Sequence, residues 1–124
     1  MLRRTLEFCA KLSLIKVVLF GLLLAVLIEA LTIAIRFLFF LESTRDTAFF
    51  GTYTLGLRVH HGYIGLLLIP LGWCFPRGLR HALWIVGIGL LVSDLVHHFL
   101  VLWPITGSPQ FDFIYPNHPY WKKD

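Results

Sequence analysis

Apolar residues fall into three long runs, at about 14–41, 57–75 and 79–103, separated by polar breaks at Glu42 to Asp46 and at Pro76-Arg77-Gly78. A bilayer core is crossed by roughly 20 apolar residues of helix, and each run meets that length, the second only if His60 and His61 sit at the membrane edge. The first 13 residues instead place Leu2, Leu6 and Cys9 on one helical face and Arg3, Arg4, Glu7 and Lys11 elsewhere, the pattern of a short interfacial helix. Pro70 is expected to kink the second helix. The Pro76-Arg77-Gly78 turn makes the second and third helices antiparallel neighbours, and Pro104 is expected to end the third. Thr47 to Thr54 mixes aromatics with Gly51 and suits the outer interface. The tail, 104–124, holds four prolines with Phe111, Phe113, Tyr115, Tyr120 and Trp121, which predicts an ordered, non-helical flap, since disordered tails are poor in aromatics.

Composition agrees. The chain is 57% hydrophobic and 15% charged, with a mean hydropathy of +0.76, whereas soluble domains carry roughly 25% charge. The expected fold is all-α: one integral membrane domain, 1–124, built as a three-helix bundle with an N-terminal interfacial helix and an aromatic, Pro-rich extracytoplasmic C-terminal tail. Arg3, Arg4, Lys11, Lys16, Arg77 and Arg80 fall on one side, against Arg45, Arg58, Lys122 and Lys123 on the other. The positive-inside rule then puts the N-terminus in the cytoplasm and the C-terminus outside. The first run is too long for a signal peptide, carries Glu29 and Arg36, and lacks a small-x-small cleavage site, so it is expected to remain as a span. The net charge of +4 is accounted for by topology and by anionic lipid at the cytoplasmic face, and nucleic acid is excluded as a partner. The bilayer is the expected partner, with a homo-oligomer or a larger membrane complex as further options. Cys9 and Cys74 have no metal or redox spacing and are expected to be free thiols.

Against this background, ionisable residues inside the apolar runs stand out. An Asp near the bilayer centre costs about +2.5 to +3.5 kcal/mol on insertion scales, yet the third run contains Asp94-x-x-His97-His98. His60-His61 opens the second run, and Glu29 and Arg36 interrupt the first. Counting ~1.5 Å per residue from the cytoplasmic ends, Glu29 lies at ~20 Å, His61 and Asp94 at ~22 Å, His97 and His98 at ~27–29 Å and Arg36 at ~30 Å. All fall in the outer half of the bilayer. Asp94 and His98 share a helical face with Gly87, His61 shares one with Gly65, and Glu29 shares one with Arg36. Gly65 would let a neighbouring backbone approach closely.

Imidazole and carboxylate together are the usual ligands of Zn, Fe and Mn. Asp94 and His98 can ligate from one face, with His61 and Glu29 completing the shell. Members of the pairs His60/His61 and His97/His98 that do not ligate would orient those that do. Glu29 is the candidate proton carrier and Arg36 the candidate group for an anionic substrate. If the site is catalytic, the expected chemistry is metal-dependent action on a lipid-like substrate. Alternatives are a structural polar network in a non-catalytic subunit, a b-type haem held between His60/His61 and His97/His98 with Gly62 and Gly65 giving room, and a proton relay. The Asp94-x-x-His97-His98 segment resembles the final His-x-x-His-His box of membrane di-iron desaturases and hydroxylases with one His replaced. The likeness covers five residues, and that family uses more histidines than the six present, so no family is assigned. Trp73, Trp84, Trp103, Trp121 and Tyr53 suit belt or packing roles, Tyr63 a packing role or a hydrogen bond into the site, Arg58 an interface anchor and His81 a solvated loop. Asp112 and His118 are placed to reach over the cluster.

Overall fold

A computed structural model describes residues 1–38 and 48–115. The polar break at Glu42 to Asp46, the end of the first apolar run, and the tail beyond Tyr115, with His118, Tyr120, Trp121, Lys122 and Lys123, lie outside the described residues. The described chain is helical: α1 (Leu2–Ala10), α2 (Leu14–Leu38), a short 3-10 turn (Ala48–Thr52), α3 (His61–Gly72), α4 (Arg77–Leu95), a π-helical segment (Val96–Leu102) and α5 (Trp103–Thr106). The last three form one continuous apolar rod, Arg77–Thr106, of 30 residues. That rod and the 25-residue α2 are the two helices long and apolar enough to cross a bilayer.

Two sequence expectations are corrected here. The second apolar run is helical only over the 12 residues of α3, ~18 Å at the α-helical rise, short of the ~30 Å hydrocarbon core. Its first residues are diverted into a tail contact. Leu55 and Gly56 take positive φ (54° and 78°), and Leu57 then forms a bridge with Ile114. The Arg58 and Tyr115 amides donate to the Phe113 and Gly56 carbonyls, each at 2.9 Å. Pro104 does not end the third helix, which runs on to Thr106. Its missing N–H falls just after the π segment, where the α ladder is already interrupted, and proline is tolerated in the first turn of a new helical stretch. Gly107 terminates the rod with φ 75° and its amide bonded to the Trp103 carbonyl at 2.9 Å.

The α4 helix is the middle layer, packed on α1, α2 and α3. Gly87 faces α3 and Gly89 faces α2. A Cβ built on Gly65 would lie 2.5 Å from the Gly87 carbonyl oxygen and 2.7 Å from the Leu91 amide, and one on Gly89 would lie 2.8 Å from Leu24. Backbone meets backbone across the α3–α4 seam, so no side-chain rearrangement can relieve an added methyl. At the far end, His81 is buried at 3% exposure, contrary to the solvated loop expected for it. Its Nδ1–H donates to the Cys9 carbonyl at 2.9 Å, and Arg77 Nη2 donates to the Leu12 carbonyl at 3.3 Å. Both tie α4 to carbonyls at and just beyond the end of α1, where a cationic or N–H donor is favoured; the Cys9 carbonyl also accepts the Leu12 N–H at 3.1 Å. Cys9 and Cys74 are free thiols.

Burial is inverted relative to a water-soluble domain. Among the described residues Glu29, Arg58, His60, His81, Ser93, Asp94, His97 and His98 are buried, while Leu19, Leu23, Val26 and Leu27 on α2 are more than half exposed. Overpacking a tight interior costs about 1–3 kcal/mol. Gly65→Ala is therefore expected to lower the unfolding stability in detergent by about that amount, while the exposed Leu66→Ala leaves it within about 0.5 kcal/mol. Thermal unfolding of the two variants side by side checks this.

Candidate metal centre

Asp94 lies in the last turn of α4 and is 1% exposed. Gly62 on α3 makes this possible, because a Cβ there would stand 2.5 Å from Asp94 Oδ2. One turn on, the π segment places His97 and His98 on different sides of the rod. Such segments re-aim side chains by inserting a residue into the helical ladder, and they recur at functional sites.

His98 faces α3 and the tail. Its Nδ1 lies 2.6 Å from the Pro109 carbonyl oxygen. A carbonyl only accepts, so Nδ1 carries the proton and Nε2 presents a lone pair. The same reasoning applies to His60, whose Nε2 donates to the Asp112 carbonyl at 3.1 Å, leaving Nδ1 bare. The two bare nitrogens face each other at 3.1 Å. Asp94 Oδ1 completes the triangle, 3.8 Å from His60 Nδ1 and 3.7 Å from His98 Nε2. This oxygen is buried and has no hydrogen-bond partner among the described residues. With both imidazoles neutral, three electron-rich atoms converge here, an arrangement relieved by a cation or an added proton at their centre. The circle through atoms at these separations has a radius of about 2.1 Å, within the bond range of roughly 2.0–2.2 Å for Zn–N and Zn–O. His60, Asp94 and His98 form a group able to hold a metal ion.

His61 stands at the margin. Its Nδ1 is 3.2 Å from Asp94 Oδ1 and its Nε2 is 2.9 Å from Ser93 Oγ, with the side chain 34% exposed. Phe111 stacks on His60 at 4.5 Å and meets His98 edge-on at 5.1 Å. Tyr63 packs edge-on against His60 and parallel to Phe113, and its hydroxyl is buried without a hydrogen bond among the described residues. These rings roof the site with carbon. Arg58, expected as an interface anchor, is buried, with Nη1 at 3.5 Å from the Asp112 carboxylate.

The other predicted site residues are arranged differently. His97 turns toward α2, where its Nδ1 is 3.0 Å from Glu29 Oε1. Glu29 and His97 therefore make a separate buried pair behind the triad, and Glu29 Oε2 has no hydrogen-bond partner among the described residues. Arg36 lies two turns further along, half-buried in the last turn of α2. A haem does not fit between the helices. The space beside Gly62 and Gly65 is taken by Asp94 and the α4 backbone, and the facing nitrogens at 3.1 Å are closer than two metal–nitrogen bonds end to end, roughly 4 Å.

Ser93 and the Pro109 and Asp112 carbonyls are parts of the site that sequence reasoning missed. Ser93 had a signal, a hydroxyl beside Asp94 in an apolar run, but backbone carbonyls leave none. The chain matches no family model, no curated protein and no solved structure, so the reading rests on this geometry.

Leaving one partner of a buried hydrogen bond unsatisfied costs about 1–3 kcal/mol. Glu29→Ala is expected to destabilise the protein by about that much and Glu29→Gln, which can keep the hydrogen bond, by less, with metal content per folded chain unchanged in both. Unfolding curves and elemental analysis on the same samples check both halves.

Proposed function

We propose that this chain is a small integral membrane metalloprotein in which His60, Asp94 and His98 hold a divalent transition ion, Zn, Fe or Mn. The observation that carries the reading is the pair of bare imidazole nitrogens facing each other beside an unbonded carboxylate oxygen, on a circle of metal-bond radius. A proton shared between His60 and His98 would join the two nitrogens but lie off Asp94 Oδ1, whose nearest nitrogen is then His61 Nδ1 at 3.2 Å. An ion serves all three.

Membrane insertion is supported by the inverted burial. Only 17% of the most apolar stretch of α2 and 39% of that of the α4 rod is buried inside the protein, whereas a soluble core helix would be mostly covered. The positive-inside distribution favours a cytoplasmic N-terminus, which brings the site near the extracytoplasmic face. Three protein ligands leave a further position, taken by His61 or by an outside group, the pattern of catalytic rather than structural zinc. Bound there, the ion supplies Lewis acidity to a membrane-delivered, lipid-like substrate. Arg36 is the candidate group for an anionic part of that substrate. A second reading, a non-catalytic subunit of a larger membrane complex, is favoured by the 12-residue α3, too short to cross a bilayer core without neighbours.

Protein purified in mild detergent is expected to carry close to one equivalent of Zn, Fe or Mn with no Soret band. His60→Ala and His98→Ala should lose it. Asp94→Asn should bind at least about 10–100-fold more weakly, the scale set by losing even an outer-shell partner. His81→Ala and His97→Ala should retain it. Equal metal content in His60→Ala and His81→Ala would sink the assignment, and a metal-free, folded wild type would leave the subunit reading.

A further inference from the structure

At the opposite end from the metal triad, α1 and α2 enclose a groove of about 360 Å³ lined by Phe8, Leu12, Lys16, Leu19, Phe20 and Leu23. That volume is at the lower end of the roughly 300–1,000 Å³ typical of small-molecule sites. Phe8 and Phe20 meet edge-to-face at 6.3 Å, and Leu12 is 5% exposed. The lining is carbon except for the amine of Lys16.

The surroundings are basic. Arg77 donates to the carbonyl of Leu12, itself a lining residue, and Lys11 lies on the same turn. Residues 11–16 and 75–81 contain Lys11, Lys16, Arg77 and Arg80 and no acid. The nearest acid in sequence, Glu7, is paired with Arg3 at 2.9 Å. An apolar slot opening onto unopposed cations matches an acyl chain joined to an anionic headgroup. A second copy of this chain would bring the same positive rim against itself.

We propose that this groove binds one anionic glycerophospholipid, with an acyl chain along Leu12, Leu19 and Leu23 beside the Phe8–Phe20 pair and its phosphate at Lys16 and Arg77. The proposal rests on the membrane part of the function above, not on the metal. A basic residue near an anionic lipid surface contributes about 1 kcal/mol, equivalent to about fivefold in affinity.

The test is native mass spectrometry of the full chain in detergent with added dioleoyl phosphatidylglycerol or dioleoyl phosphatidylcholine. One phosphatidylglycerol should be retained in preference to phosphatidylcholine. Lys16→Gln should weaken that adduct about fivefold, and Leu19→Trp, which fills the slot, should remove it, both variants keeping wild-type metal content. Equal retention of the two lipids, or an adduct indifferent to both variants, would mean only annular lipid and overturn the proposal. Oleate binding as tightly as phosphatidylglycerol would overturn the phospholipid assignment, and lipid-free dimers that dissociate in Leu19→Trp would make the occupant a second copy. Flotation with phosphatidylcholine vesicles after an alkaline wash separates the two levels. A chain that floats but shows no headgroup preference sinks only the groove, and one that does not float sinks the membrane reading.

Discussion

A carboxylate withdrawn from solvent has to be matched by protons or cations, and Asp94, at 1% exposure, imposes that requirement on everything around it. Gly62 lacks a side chain so that the carboxylate fits against α3. His60, His61 and His98 surround one oxygen at 3.2–3.8 Å. The Gly65–Gly87 contact holds the two helices at the spacing that keeps these atoms together. Take away the demand of Asp94, and the facing histidines have no reason to be buried.

The polarity of the site is set from outside the helices. Carbonyls of the tail, at Pro109 and Asp112, decide which nitrogen of each imidazole carries the proton. Phe111 then closes over both imidazoles, with Phe113 packed behind it on Tyr63. A single non-helical segment provides both the hydrogen-bond acceptors that direct two lone pairs inward and the hydrocarbon that keeps water out. In such a low-dielectric setting every charge interaction is strengthened, and an unmatched one is costly.

Much of the arrangement was legible because helical periodicity and membrane energetics are both local rules. The apolar runs located α2 and the α4 rod, and depth counting put His60, Asp94 and His98 in the same half of the bilayer. The close approach at Gly65 followed from the absence of a side chain on a face shared with His61. What was not legible depends on long-range or register effects. His98 joins Asp94 as the i, i+4 spacing implied, but His97 turns away to Glu29, and nothing in Val96 to Leu102 marks the π segment that carries it. The diversion of residues 57–60 into the Ile114 contact shortened α3, a decision made by residues more than 50 positions away. His81 read as solvated because it lies among arginines, but the Cys9 carbonyl at the end of α1 claims it.

The Pro109 and Asp112 carbonyls also set an order of events. Both lie beyond the last long helix, so the imidazole tautomers are defined only once that helix has been made and the segment after it has folded back. The group able to hold an ion is therefore completed only when that segment packs against α3 and the α4 rod.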